Sequence, residues 1–356
     1  MPQLLHFLLL LVGGVVSLVL LFNTSGPVNT LERFQLDGPR LSRSRPVTFT
    51  ASDVDNSANW TTVYLEHLQK AYETPHKEHV NPHNFKLRLD EPMACVDVES
   101  GTPKHVVLLV LISTVHANYG RRQAIRETWG SPKKLADLHV VTLFLLGNTS
   151  NINFEKRIIE ESSHYHDLLL EDFKDTYKNL TLKTMMAMKW ASTHCPQASF
   201  VMKTDDDMYV SYRNILDYIM VSNAPDTNLA FGLVLAGQAP VRNKRSKWYM
   251  SEELFSGDVY PPWLSGGGFV LSGDLPARIY AASLDIGYLY LEDVYVGFCL
   301  KKLEISVVMN QQFNNMNVPY SYCRYRNIIT SHHIAPDLLR TIWADQQRST
   351  PCWLLT

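Results

Sequence analysis

The sequence predicts an α/β domain on a mainly parallel sheet, preceded by a transmembrane helix and a stem. Three observations predict it. Runs such as 106–112 (VVLLVLI) and 140–146 (VVTLFLL) are wholly apolar, as expected of strands buried on both faces. Segments of helical period alternate with them, which is the pattern of a sheet covered by helices. A separate uncharged stretch, residues 4–22, opens the chain, with His6 and Ser17 as its polar interruptions.

That stretch is just long enough to cross a hydrocarbon core of ~30 Å. Its length, and the lack of a small-x-small cleavage site after it, favour an uncleaved anchor in the lipid bilayer over a signal peptide. Orientation carries a conflict. Arg33, Arg40, Arg43 and Arg45 follow the run and no Lys or Arg precedes it, so the positive-inside rule places the rest in the cytosol. The N-x-[ST] sites at Asn23, Asn59, Asn148 and Asn179 argue for the lumen, where such sites are used. The organisation expected is a short tail at 1–3, the anchor at 4–22, a polar Gly/Pro-punctuated stem at 23–80 and a folded domain at 81–356.

Within the domain, strands are expected at 106–112, 140–146, 168–170 and 200–202, and helices at 120–129, 153–162 and 180–193. Hydrophobic residues make up 46% of the chain, which suffices for a sizeable core. A formal net charge of -2 gives no global basic field, so nucleic acid is not an expected partner. Five cysteines without a CxxC pair argue against structural zinc and allow two disulfides and one thiol.

Several segments carry chemistry-bearing side chains. The strand at 200–202 runs into Lys203-Thr204-Asp205-Asp206-Asp207. Three adjacent carboxylates repel one another, and a hard divalent cation shared with a nucleotide diphosphate resolves the conflict. A solvated acidic turn is the plainer alternative. Arg121, Arg122 and Arg126 follow the first core strand, on the side of such sheets where ligands bind. Arg122 and Arg126 share a helical face and suit phosphate, or simply water. Residues 260–269 (YPPWLSGGGF) form a rigid turn and a glycine-rich entry that permits close backbone approach to a ligand, without the Gly-Lys-Ser/Thr of a P-loop. Glu292 and Asp293 precede an apolar stretch and suit a helix N-terminus. His332 and His333 come late in the chain.

In their order and spacing these segments resemble the Golgi β1,3-glycosyltransferase family, which includes β1,3-galactosyltransferases and β1,3-N-acetylglucosaminyltransferases. The matching segments are RRQAIRETWG (121–130), LFLLG (143–147), EDFKDTYKNLTLKT (171–184), VMKTDDDMYV (201–210), RSKWYM (245–250), YPPWLSGGGFVLS (260–272), EDVYVGFCLKKL (292–303) and CRYRNIITSHHIAP (323–336). The resemblance covers residues 81–352 and lies closest to the galactosyl branch. It implies a GT-A fold with a Rossmann-like nucleotide-binding half, type II topology in the Golgi membrane with a lumenal domain, a UDP-sugar donor, Mn²⁺ and inversion at the anomeric carbon.

Residue by residue, the resemblance implies Asp207 and His332 as metal ligands and Asp293 as catalytic base. Asp205 would contact the nucleotide, and Asp206 the sugar or the metal's water shell. Arg122, Arg126 and Lys183 fall in segments that line the donor site. Trp263, Gly266, Gly267 and Glu292 fall in the loop between donor and acceptor. The implied reaction moves galactose from UDP-galactose to O3 of a terminal N-acetylhexosamine. Transfer of N-acetylglucosamine from UDP-GlcNAc is the nearest alternative, and a non-catalytic lectin-like or chaperone relative is the alternative of another class. A homodimer or an enzyme complex stays open. RSKWYM points to the galactosyl branch, whereas Gly266-Gly267-Gly268 points to the other. Leu264 replaces a cysteine common in the family, which leaves the pairing of Cys299, Cys323 and Cys352 open. Cys95 precedes the first core strand and Cys195 the strand leading to the acidic triplet, so neighbouring parallel strands would bring this pair into bonding range.

Overall fold

A computed structural model describes residues 79–135, 138–222 and 224–352. The expected anchor, Asn59 and nearly all of the stem lie outside the described residues. No helix among the described residues is long and apolar enough to cross a membrane.

In chain order the strands and helices run β1 (Leu87–Leu89), β2 (Val106–Ser113), α1 (Tyr119–Glu127), β3 (Lys134–Leu135), β4 (Leu138–Asn148), α2 (Ile152–Tyr165) and β5 (Leu168–Lys174). There follow α3 (Leu180–His194), β6 (Phe200–Asp205), β7 (Tyr209–Val210), α4 (Tyr212–Val221), β8 (Ala230–Leu235) and β9 (Trp263–Ser272). The last are α5 (Leu275–Ser283), α6 (Glu292–Lys302), β10 (Val307–Met309), α7 (Tyr322–Tyr325), β11 (Thr330–Ser331) and α8 (Pro336–Gln346).

One sheet has the order β1-β5-β4-β2-β6-β9-β8-β10, with β3 paired to β4. The expectation of a mainly parallel sheet holds for β5-β4-β2-β6 and for the β8–β10 pair. Beyond β6 the sheet is mixed, because β9 runs antiparallel to both β6 and β8. An apolar run reveals burial but not direction. Every residue of β2 is buried, as predicted, since helices cover both faces of the sheet. Val106, Leu109 and Leu111 join one core with the apolar sides of α3, α5 and α6. Leu108, Val110 and Ile112 join another with α1, α2, α4 and α8.

From β2 the chain moves outward to β4 and β5, then returns to β6 on the other side of β2. The strand order therefore reverses between β2 and β6, and sheets of this kind bind ligands in a crevice beyond the carboxyl ends at such a point. Cys95 and Cys195 form a disulfide across a separation of 100 residues, as expected. Cys323 pairs with Cys352. Cys299 is a buried free thiol in the same core as Leu264.

Candidate active site

The acidic triplet ends β6, at the reversal point. Ser113 of β2 lies in register with Asp205, and its carbonyl accepts from the Asp206 backbone N–H at 3.1 Å. Asp206 is held from the turn after β2. Thr114 Oγ1 and Asn118 Nδ2 donate to its Oδ2, and Arg121 reaches its Oδ1 at 3.3 Å. Burial pushes the Asp206 carboxyl up, and these donors pull it back.

Asp207 is drawn to the late histidines. β7 pairs antiparallel with β11, and the Ile334 N–H donates to the Asp207 carbonyl at 2.9 Å, so the segment after β11 is stitched to the triplet. His332 Nε2 lies 3.2 Å from Asp207 Oδ1, and His333 Nδ1 lies 3.3 Å from Oδ2. His332 Nδ1 faces the Asn315 carbonyl at 3.0 Å and must donate to it, which turns Nε2 toward Asp207 as the atom that would face a cation. The two imidazoles stack at 3.7 Å between centroids, and His333 adopts a left-handed φ of 55° to achieve this. Strain of that kind clusters at functional sites. Ligand atoms of Asp207, His332 and His333 lie within 4.8 Å of one another. Burial pushes Asp207 up, but His332 and Arg121 outweigh it and hold the carboxyl well below the usual range.

On the other side of the crevice stand Glu292 and Asp293, in the first turn of α6. The helix-start reading is therefore correct as far as it goes. The Asp293 Oδ2 also accepts from Trp263 Nε1 at 3.2 Å and Gly266 N at 3.1 Å, and its Oδ1 accepts from Val294 N at 2.8 Å. Burial raises the Asp293 carboxyl, against the pull of these donors and of Lys203. Burial likewise pushes Glu292 up to about 7, with Lys203 opposing. Gly266 is needed here for space, since a Cβ would stand 2.7 Å from Glu292 Oε1. Gly267 has no such demand. Its carbonyl accepts from Thr204 Oγ1 at 2.8 Å.

Three expected donor-site residues are turned into the protein, behind the turn that holds Asp206. Arg122 is fully buried and makes a bidentate pair with Glu161 at 2.7 Å for both bonds. Arg126 is spent on Glu161 and Asp167 and packs over the Tyr165 ring. Lys183 is buried against Asp175 at 2.8 Å. The shared face of Arg122 and Arg126 thus points into the protein, because buried carboxylates of α2 and the following turn claim it. These residues brace the turn after β2: Arg122 donates to the Val115 carbonyl and Lys183 to the Thr114 carbonyl. The arginine that reaches the triplet is Arg121, bridging Asp206 and Asp207 at 3.3 and 3.2 Å. His333 joins the cluster as well, beyond the expected ligand His332.

The arrangement has acceptor oxygens and imidazole for a hard cation on one side, and a carboxylate suited to taking a proton on the other. The galactosyltransferase family matches residues 120–311. Beta-1,3-galactosyltransferase 1 of Homo sapiens is 43% identical over 267 residues, which is 75% of this chain and 80% of that protein. Beta-1,3-galactosyltransferase 2 of Homo sapiens is 38% identical over 86% of this chain and 73% of its own length. A solved galactosyltransferase, in complex with donor and acceptor sugar analogs, aligns over 69% of this chain and 99% of its own at a TM-score of 0.35 and 11% identity, too loosely to bear on the site. On the strength of the family match and these relatives, the chain belongs to the β1,3-galactosyltransferase family and is a hexosyltransferase.

Proposed function

We propose that the chain transfers galactose from UDP-galactose to O3 of a terminal N-acetylhexosamine, with inversion, as a type II protein whose domain faces the Golgi lumen. The observation that carries this reading is the pairing of two unlike carboxylate groups across one crevice. Asp207 sits with two histidines, and Asp293 sits half-buried among fixed donors.

Asp207, His332 Nε2 and His333 Nδ1 fit a divalent cation, and His332 is pre-turned by Asn315. Mn²⁺, when bound there, supplies Lewis-acid charge to the diphosphate. Arg121, which is 36% exposed at its side chain, is free to swing from the carboxylates to a phosphate oxygen. Asp293 takes the proton of the acceptor hydroxyl. That oxygen forms the new bond to the anomeric carbon, the bond from this carbon to the diphosphate oxygen breaks, and the electron pair leaves on UDP. A single displacement of this kind inverts the centre.

The test is a donor and acceptor panel on the full chain made in a secretory host. UDP-galactose with a terminal N-acetylhexosamine acceptor is expected to give Mn²⁺-dependent transfer, lost in excess chelator and in Asp207→Ala. Preferential transfer of N-acetylglucosamine to galactose would reassign the donor. Glycan binding without turnover would leave the lectin-like reading.

A further inference from the structure

Lys203 is a buried cation beneath the crevice, and neither the metal cluster nor the proton transfer uses it. Its side chain is 1% exposed. Desolvating an ammonium is costly, so it needs close partners. It has three: Asp205 Oδ1 at 2.8 Å, the Gly266 carbonyl at 2.8 Å and Glu292 Oε1 at 3.2 Å. Asp205 belongs to the donor side and Glu292 to the acceptor side. Gly266 links the set to Asp293, since its N–H donates to the Asp293 carboxylate while its carbonyl takes the ammonium. The pairing of Lys203 with Phe269 across β6 and β9 fixes this geometry in the sheet itself.

We infer that Lys203 is a positioning residue for the transfer, holding the Asp293 carboxylate in register with the donor-side Asp205 through one ammonium and the Gly266 peptide. The inference rests on Asp293 being the base. Lys203 is also a charge that Asp293 feels, and it favours the ionised carboxylate. The other titratable groups facing Asp293 are Glu292 beside it, Tyr177 from the turn before α3, and Tyr260 ahead of β9. None of these is a cation.

The full chain is assayed for transfer across pH, with UDP affinity by calorimetry and Tm alongside. Lys203→Met alone would strand Glu292 and risks misfolding, so the comparison is Glu292→Gln against Glu292→Gln with Lys203→Met. Asp205, 32% exposed at its side chain, can then turn to water. The added change is expected to weaken UDP binding far less than it lowers kcat, with some loss of Tm from the unpaired Gly266 carbonyl. It should lower kcat on the order of 10²-fold, as small misplacements of reacting groups do, and move the acid limb of the rate profile to higher pH. Lys203→Arg keeps the charge but not the point geometry, so it should lower kcat in milder form and leave the acid limb in place. An unmoved kcat and acid limb in a folded double variant, or an unmoved kcat in Lys203→Arg if the double variant does not fold, would overturn the inference. Failure of the wild-type chain to transfer from any UDP-sugar would instead overturn the proposed activity, and is read before any variant is compared.

Discussion

Asp207 and Asp293 both sit at one crevice, yet their surroundings differ in kind. The partners of Asp207 are side chains that solvent reaches: Arg121 is 36% exposed and His333 is 67% exposed. The partners of Asp293 are two backbone N–H groups and an indole, fixed by β9 and α6. Mobile counter-charges let the first carboxylate exchange its partners for a cation and a diphosphate. Fixed neutral donors around a half-buried carboxylate let the second keep one place and a raised proton affinity. The contrast is that between a group that binds and a group that takes a proton.

Asp293→Asn should break the acceptor side and spare the donor side. The amide keeps the shape but cannot take the proton, and loss of a general base costs ~10²–10⁴-fold in rate. UDP affinity by calorimetry should stay near normal. A loss of UDP binding along with turnover would show that Asp293 supports the donor site or the fold, and the contrast would collapse.

The two neighbouring arginines sharpen it further. Arg122→Met leaves Glu161 buried with part of its charge unpaired, and breaking a buried pair costs about 3–5 kcal/mol. Denaturant unfolding should show this loss, with UDP affinity in the folded fraction unchanged. Arg121→Ala should do the reverse, weakening UDP binding with little change in stability. If Arg122→Met weakened UDP binding beyond its effect on folding, its assignment as a brace would be wrong.

Why the sequence pointed to Arg122 rather than Arg121 is a matter of phase. Spacing of four places Arg122 and Arg126 on one helical face, and it does so correctly. It does not say which face looks inward, because that depends on Glu161 and Asp167, some forty residues later. Strand β2 and the triplet at the end of β6 were legible, since both are local patterns. The approach of His332 to Asp207 was legible through the family resemblance alone, and His333 needed a backbone turn to φ 55° that no spacing reveals. Lys203 was hidden for a similar reason. A lysine beside three aspartates reads as surface charge until β9 closes over it. The antiparallel course of β9 is the long-range fact behind this, and it also carries Gly266 to Glu292.

The smallest effect expected concerns the compartment rather than the crevice. Both described N-x-[ST] sites lie in one structural neighbourhood, but they present their amides differently. Asn148 uses its Oδ1 to accept from Arg88 and from the Thr149 N–H, and its Nδ2 is left to solvent. Asn179 spends its Nδ2 on the Lys174 carbonyl at 2.8 Å, and the Thr181 hydroxyl of its motif is buried against the Leu289 carbonyl. A lumenal domain should therefore carry its glycan at Asn148. Asn148→Gln should remove one glycan's worth of mobility shift on treatment with an N-glycan-removing enzyme, while changing stability by about 0.5 kcal/mol or less, as exposed substitutions do. Asn179→Gln should change the shift less. Turnover should stay within about twofold, because Asn148 takes no part in either side of the crevice. A chain that shows no shift in any of these forms was not made in the lumen, and the topology proposed for it would fall while the assignment of Asp207 and Asp293 stood untouched.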